Sequence, residues 1–310
     1  MNHPATPTPQ LSLFSLLEIK GPDATKFLQG QVTCDLNSLD TSSFLHGAHC
    51  TAKGRMIANF DAIKRDEHTF WLRLPSSNLP ALQQSLAKYA VFSKVKISDL
   101  SDQYSCTGLI QDSDDNALES LGISFLDGAV SEHKTHLLIK QDEQRVEAWH
   151  PRDTPSLAEF QPLNFADDEL WAAAELRNGK GWITPHTTDT ALPQDLNLQT
   201  NAINGISFNK GCYTGQEIVA RMHYKGKLKR HLYHFKTGSA QDIKAGAELF
   251  YADKTQSAGT VINAIATEHH CELLAVTTEA NAISGELHTN NPATDKLELI
   301  DLPYAITNET

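Results

Sequence analysis

At 310 residues the chain exceeds what one hydrophobic core usually encloses, so about two or three lobes are expected. A 40% apolar, 21% charged composition is that of an ordinary globular protein, and no run approaches the roughly 18 apolar residues that span a bilayer, which excludes a helical membrane protein. The 26 cationic and 38 anionic side chains leave a net charge of −12, which argues against indiscriminate nucleic-acid binding but leaves room for one local basic face.

In chain order, the lead-in MNHPATPTPQ (1–10) is proline-rich and lacks a basic segment, and reads as a disordered tail. A strand follows from Leu11, then a short helix opened by Gly21-Pro22, with Ala24, Phe27 and Leu28 on one side and Gly30 closing it. Residues 44–74 predict three strands with turns at AKG and RDEH. After Pro75 comes a helix with Leu79, Leu82, Leu86 and Tyr89 apolar, and then a strand over VFSKVKIS. A second round predicts a strand (YSCTGLI), a helix (DDNALESLGI), a strand pair (HKTHLLIK, QRVEAW) and a helix near SLAEF. DDELWAAAELRNGKG is the clearest helix, favoured by its alanines and ended by its glycines, and a Pro/Thr-rich loop over 183–197 follows it. From Leu232 short β-like runs alternate with Gly, Asp and Asn, which predicts a small β-barrel over 231–310. Strands outnumber βαβ units, so the class is α+β with mainly antiparallel sheets.

Cys34, Cys50, Cys106, Cys212 and Cys271 are odd in number and scattered, without CxxC, as expected of reduced thiols in the cytoplasm. His269-His270-Cys271 falls in a β segment, where neighbours point to opposite faces, so no metal site is expected. P-loop, GxGxxG, GxSxG and HExxH patterns are missing.

The stretch NKGCYTGQEIVARMHYKGKLKRH (209–231) concentrates the chemistry. Thr214-Gly215-Gln216-Glu217 fits a capping box and predicts a helix start, with Ile218, Val219 and Met222 toward the core and Gly226 as its stop. Cys212 then sits just ahead of a helix N-terminus and two residues from Lys210, a setting that favours the thiolate. Equally, it suits a small buried residue filling a tight turn. Arg221, Lys225, Lys227, Lys229 and Arg230 form a run without acids, suited either to an anionic partner such as RNA phosphates or a polyglutamate tail, or to a solvated helix end. Trp171, on the alanine-rich helix, reads as core or as a platform for a flat ligand.

The segment GISFNKGCYTGQEIVAR, preceded by PQDLNLQ, resembles the signature of the YgfZ family of folate-binding proteins, relatives of the glycine-cleavage T-protein. LLEIKGPDATKFLQGQVTCDL, GAHCTAKGRM, KYAVFSKVKI and the Leu-Pro-Tyr at 302–304 resemble it too. The resemblance implies a cloverleaf (GcvT-like) fold around a central folate pocket formed by residues 11–230, with the barrel appended. It implies tetrahydrofolate or a one-carbon derivative as ligand, and a role in iron-sulfur cluster maintenance and tRNA modification, with iron-sulfur proteins, tRNA or tRNA-modifying enzymes as partners. By position it places Phe14 and Trp171 near the folate and makes Lys210, Tyr213, Gln216, Glu217 and Arg221 motif members around a catalytic Cys212. Where aminomethyltransferases carry an Asp-Asp pair this chain has Ala58-Asn59, and their folate-anchoring glutamate corresponds to Arg177 in ELRNG. Aminomethyl transfer is therefore disfavoured, leaving a one-carbon transferase with altered residues and a tRNA-binding scaffold as the alternatives.

Overall fold

A computed structural model describes residues 9–111, 117–125, 128–154, 157, 160, 163–226, 228–238, 243–252, 255–267, 269–289 and 296–306. Most of the proline-rich lead-in, the expected helix near SLAEF and Lys227 lie outside these residues.

Alternating apolar residues build three antiparallel sheets. The first has the order β2-β3-β4-β1-β5, from β1 (Phe14–Lys20), β2 (Phe44–Cys50), β3 (Met56–Asp66), β4 (Thr69–Pro75) and β5 (Lys96–Asp99). Two helices cover one face: α1 (Ala24–Gln29), which buries Ala24, Phe27 and Leu28, and α2 (Leu79–Tyr89), which buries Leu79, Leu82 and Leu86 at helical spacing. Each such aliphatic side chain contributes about 1.5–3 kcal/mol of burial.

The second sheet, β10-β6-β9-β8-β7, uses β6 (Tyr104–Ile110), β7 (Val130–His133), β8 (His136–Lys140), β9 (Arg145–Pro151) and β10 (Asn164–Ala166). Of the helix expected over DDNALESLGI, only α3 (Ala117–Ser120) lies among the described residues. A core of Phe14, Leu16, Trp71, Leu137, Trp149, Trp171 and Trp182 joins the first two sheets. α4 (Asp168–Arg177) leads out of β10, its first turn capped by Asp167, whose carboxylate accepts from the Leu170 amide at 2.9 Å.

The C-terminal strands are β11 (Arg230–Thr237), β12 (Glu248–Tyr251), β13 (Ser257–Ala266), β14 (Cys271–Thr278), β15 (Leu287–His288) and β16 (Leu297–Ile300). In the order β15-β12-β13-β14-β11-β16 they form a nearly closed six-stranded barrel. Leu232, Ile262, Leu274 and Val276 of the barrel share a core with Ala48 and Met56 of the first sheet and with Leu196, Leu198 and Ile206 of the long loop. Beyond β16, Tyr304 donates its hydroxyl to the Gly179 carbonyl at 2.7 Å, which ties the Leu-Pro-Tyr segment to the end of α4.

Two local expectations are corrected. VFSKVKIS is a strand only over its second half: Ala90–Phe92 form a 3-10 turn, with Val91 and Phe92 exposed. Its pairing with β1 begins only at Lys96, opposite Lys20; ahead of it the Ser93 amide closes the turn on the Ala90 carbonyl and the Lys94 amide donates to the Asp23 carboxylate at 2.7 Å instead of to a strand. The capping box at Thr214 is also not formed. The helix α5 (Gln216–Lys225) starts one residue after Gly215, whose left-handed conformation (φ 84°) turns the chain, while the Thr214 hydroxyl bonds the Gln31 side chain at 3.1 Å instead. Of the three residues expected toward the core, Val219 is buried, and Ile218 and Met222 are half-buried.

Candidate functional site

Where the first sheet, α4 and the barrel meet there is a cavity of about 450 Å³. Phe14 opens β1 and supplies one wall. Trp182, in the turn after α4, stands edge-on to it at 5.2 Å, so two aromatic surfaces face the space. Ala172, Glu175 and Leu176 of α4, Lys180, and Asn263, Ala264 and Ile265 of β13 complete much of the remainder.

Behind this cavity lies a buried ion cluster. Arg73 of β4 bonds both oxygens of Glu147 through Nε (3.0 and 2.8 Å) and Asp61 through Nη1 (3.0 Å), and its guanidinium lies 3.5 Å from the Phe14 ring centroid. Glu175 accepts from Arg145 at 3.1 Å and from the Trp182 indole at 3.0 Å. His46 Nδ1 lies 2.8 Å from Asp61. Burial pushes the Asp61 and Glu175 carboxyls up, but the surrounding positive charge outweighs it. Lys180, His46 and Arg73 hold Asp61 well below the usual carboxylate range, and Arg73, Arg145 and Lys180 lower Glu175. The same carboxylates raise Arg73 above its ordinary value against the cost of burial. The cluster thus fixes Glu175 as an anion at the cavity wall, with the cationic Lys180 beside it.

The structure separates residues that sequence reasoning had grouped. Trp171 has no exposed surface: its ring is sealed against Gly108 and Leu11 and lies 4.9 Å from the Arg145 guanidinium, so the tryptophan that faces the cavity is Trp182. Arg177 points away to the barrel, where Glu272 accepts from its Nε at 3.0 Å and its Nη2 at 2.7 Å. The carboxylate at the cavity is Glu175, two residues earlier on α4, because helical phase turns positions 175 and 177 to different neighbours. Asn59 is structural: it accepts from the Ile183 amide at 2.8 Å and donates to the Gly181 carbonyl at 2.7 Å, holding the turn that carries Trp182. Trp182, Glu175 and Lys180 were not singled out from the sequence. The available signal was the compact run AELRNGKGW, which carries an acid, a base and an aromatic beside a glycine turn.

The motif loop before α5 lies elsewhere: none of Lys210, Cys212, Tyr213, Gln216, Glu217 and Arg221 is among the residues lining this cavity. Cys212 is exposed, whereas Cys34, Cys50, Cys106 and Cys271 are buried. Lys210 does not reach toward the thiol. Its ammonium is buried and donates to the carbonyls of Val32 at 2.8 Å and Cys34 at 2.6 Å, and burial pushes its pKa down to about 8. It staples the loop to the segment after α1, with Tyr213 buried alongside and its ring 5.3 Å from the ammonium. Gly215 packs so closely on the Thr51 carbonyl that a Cβ there would lie 2.5 Å from it. Lys210→Met should therefore lower stability by about 1–3 kcal/mol, read as a drop in urea midpoint, because two carbonyls lose their donor.

Among the described basic residues, Arg221, Lys225, Lys229 and Arg230 are exposed, as are Lys53 and Arg55 of the β2–β3 turn. That turn packs against α5, where a Cβ on Gly54 would lie 2.9 Å from Ile218. The basic face is thus wider than the sequence run. No helix among the described residues is long and apolar enough to cross a membrane.

The GCVT N-terminal domain model matches residues 9–111. The crystal structure of the glycine cleavage system aminomethyltransferase T from Bartonella henselae superposes with a TM-score of 0.72 at 17% identity, covering 96% of this chain and 85% of that one. The fold is accordingly that of the aminomethyltransferase T class, with three antiparallel sheets and a cavity where the first sheet, α4 and the barrel meet. The tRNA-modifying protein YgfZ of Klebsiella pneumoniae is 33% identical over 94% of this chain and 91% of its own, and that of Colwellia psychrerythraea is 37% identical over 74% and 71%. An uncharacterized protein of Haemophilus influenzae is 32% identical over 96% and 98%. The chain belongs to the YgfZ family.

Proposed function

We propose that the protein binds a reduced folate, tetrahydrofolate or a one-carbon derivative, in the cavity lined by Phe14 and Trp182, and acts in the cytoplasm in tRNA modification and iron-sulfur cluster assembly or repair. The observation that carries the folate reading is the cavity's composition: two aromatic faces, an ionised Glu175 to accept hydrogen bonds from a flat heterocycle, and Lys180 and Lys244 suited to a carboxylate tail. The relatives named tRNA-modifying proteins support the second half. A reduced folate carries one-carbon units on its ring and bridging nitrogens. This chain's part is to hold the ring against the wall that Phe14 and Trp182 form together and to keep Glu175 charged through Arg73 and Arg145.

Aminomethyl transfer is not favoured, because Asp61, the carboxylate nearest in sequence to Asn59, is buried, held ionised and absent from the cavity lining, which leaves it unable to serve as a general acid. Cys212 is the thiol assigned to iron-sulfur chemistry, on the ground that it is the exposed one of the five.

Anaerobic calorimetric titration with tetrahydrofolate tests the ligand: saturable binding supports the reading, and none by the parent protein overturns it. Cys212→Ser should bind tetrahydrofolate as the parent does yet fail to restore iron-sulfur enzyme activity in a strain lacking the protein. Full restoration would remove the thiol from the mechanism.

A further inference from the structure

A second cavity, also about 450 Å³, lies beside the motif loop and is unused by the folate reading. Its walls are the segment after α1 (Cys34, Asp35, Ser38), the loop from Gln199 to Asn209, and His223 of α5. Its chemistry is unlike that of the first. Four carboxamides (Gln199, Asn201, Asn204 and Asn209) line it, while no lysine or arginine among the described residues does, and Asp35 gives it a negative edge. Such a space disfavours an anion and suits a neutral group rich in donors and acceptors. Both polar atoms of the Gln199 side chain are buried without a hydrogen-bond partner. Buried amides are nearly always paired, so these two atoms call for a partner, a water or a group that enters from the cavity.

At the rim, Phe208 and His223 stack with centroids 3.7 Å apart and planes 13° from parallel, and the Tyr224 ring stands edge-on to both, at 6.1 and 4.7 Å. Tyr224 is 66% exposed, so its ring still presents a face to solvent. Past it on α5, Arg221 and Lys225 lie one turn apart and exposed. The order from inside to outside is amide-lined pocket, stacked rings, exposed ring, then cations.

We propose that this cavity receives an unpaired base of an RNA strand, read by the carboxamides, while the neighbouring base stacks on Tyr224 and the phosphates pass over Arg221 and Lys225. The assignment rests on the tRNA reading above and deepens it. Single-stranded RNA is recognised in this way, by hydrogen bonds to splayed base edges and by aromatic stacking. A duplex cannot offer either, because its edges are paired and its faces covered.

The test is binding of a fluorescent single-stranded RNA, of the same sequence as a duplex, and of bulk tRNA. It compares the parent protein with Gln199→Leu, His223→Ala and the double reversal Arg221→Glu/Lys225→Glu. Gln199→Leu and His223→Ala should each weaken single-stranded RNA by about tenfold while leaving the weaker duplex binding unchanged. The double reversal should weaken every RNA and flatten the salt dependence. His223 is half-buried at the rim, so its variant answers the question even if Gln199→Leu misfolds. If the parent binds no RNA, direct tRNA recognition falls, and the pocket assignment with it. If the reversal weakens binding but the two pocket variants match the parent, the basic face stands and the base pocket is overturned.

Discussion

Arg73→Met should cost about 3–5 kcal/mol of stability, enough to leave much of the protein unfolded at moderate urea, because breaking a buried charge cluster strands its partners. Glu147, fully buried, would lose its bidentate counter-charge, Asp61 would keep only Lys180 and His46, and Glu175 only Arg145 and Lys180. Urea unfolding followed by circular dichroism reads the effect. Adding Glu147→Gln to the variant should recover part of the loss, since one uncompensated charge is then removed; no recovery would mean that packing, not charge, sets the cost. The cluster also predicts an acid limit. Asp61 and Glu175 have folded-state pKa values below their unfolded ones, so their contribution is complete above the unfolded values of about 4 and is lost as the pH falls through the folded ones. Arg73→Met should shift the acid unfolding midpoint upward, because the carboxylates it holds ionised then protonate earlier.

Lys180→Met should weaken tetrahydrofolate binding by about tenfold, or roughly 1.4 kcal/mol, with little change in the fold. The side chain is half-buried at the cavity wall, makes a cation–π contact with Phe44 at 5.3 Å, and is the cation placed to meet either an anionic tail or the field of Glu175. Arg177→Ala is the matched comparison. Its guanidinium is tied to Glu272, which also meets His270 at 3.0 Å, so removing it should leave affinity as in the parent and loosen only the junction of α4 with the barrel. Calorimetry on both variants decides between them. A loss at Arg177 with none at Lys180 would move the ligand away from the cavity that Phe14 and Trp182 line.

The two residues also show how far the sequence could be read. Position by position, Arg177 stood where the related transferases carry a glutamate, and the inference drawn was that the anchoring carboxylate had gone. A carboxylate nevertheless lines the cavity from the same helix, that of Glu175. For Trp171 the residues themselves favour a core position on the alanine-rich helix, and only the resemblance places it near a ligand. The second sheet, through the close approach of Gly108, decided for the core. The capping pattern at Thr214 was met in letters only, since Gln31, remote in sequence, captured the hydroxyl.

By itself the sequence determined the element order, the α+β class with antiparallel sheets, the C-terminal barrel and the family, because hydrophobic period, glycine turns and a long motif are local properties written along the chain. Only the tertiary structure decided which side chains share a cavity. It brought Phe14, Glu175, Lys180, Trp182 and Asn263 to one place and gave Lys210 to two carbonyls of the segment after α1. It also set the motif loop beside a second, amide-lined space. Glu175, Lys180 and Trp182 are close in sequence, but Asn263 is 81 residues from Trp182 and Lys210 is 178 from Val32, and no local pattern of residues encodes which of those faces will meet.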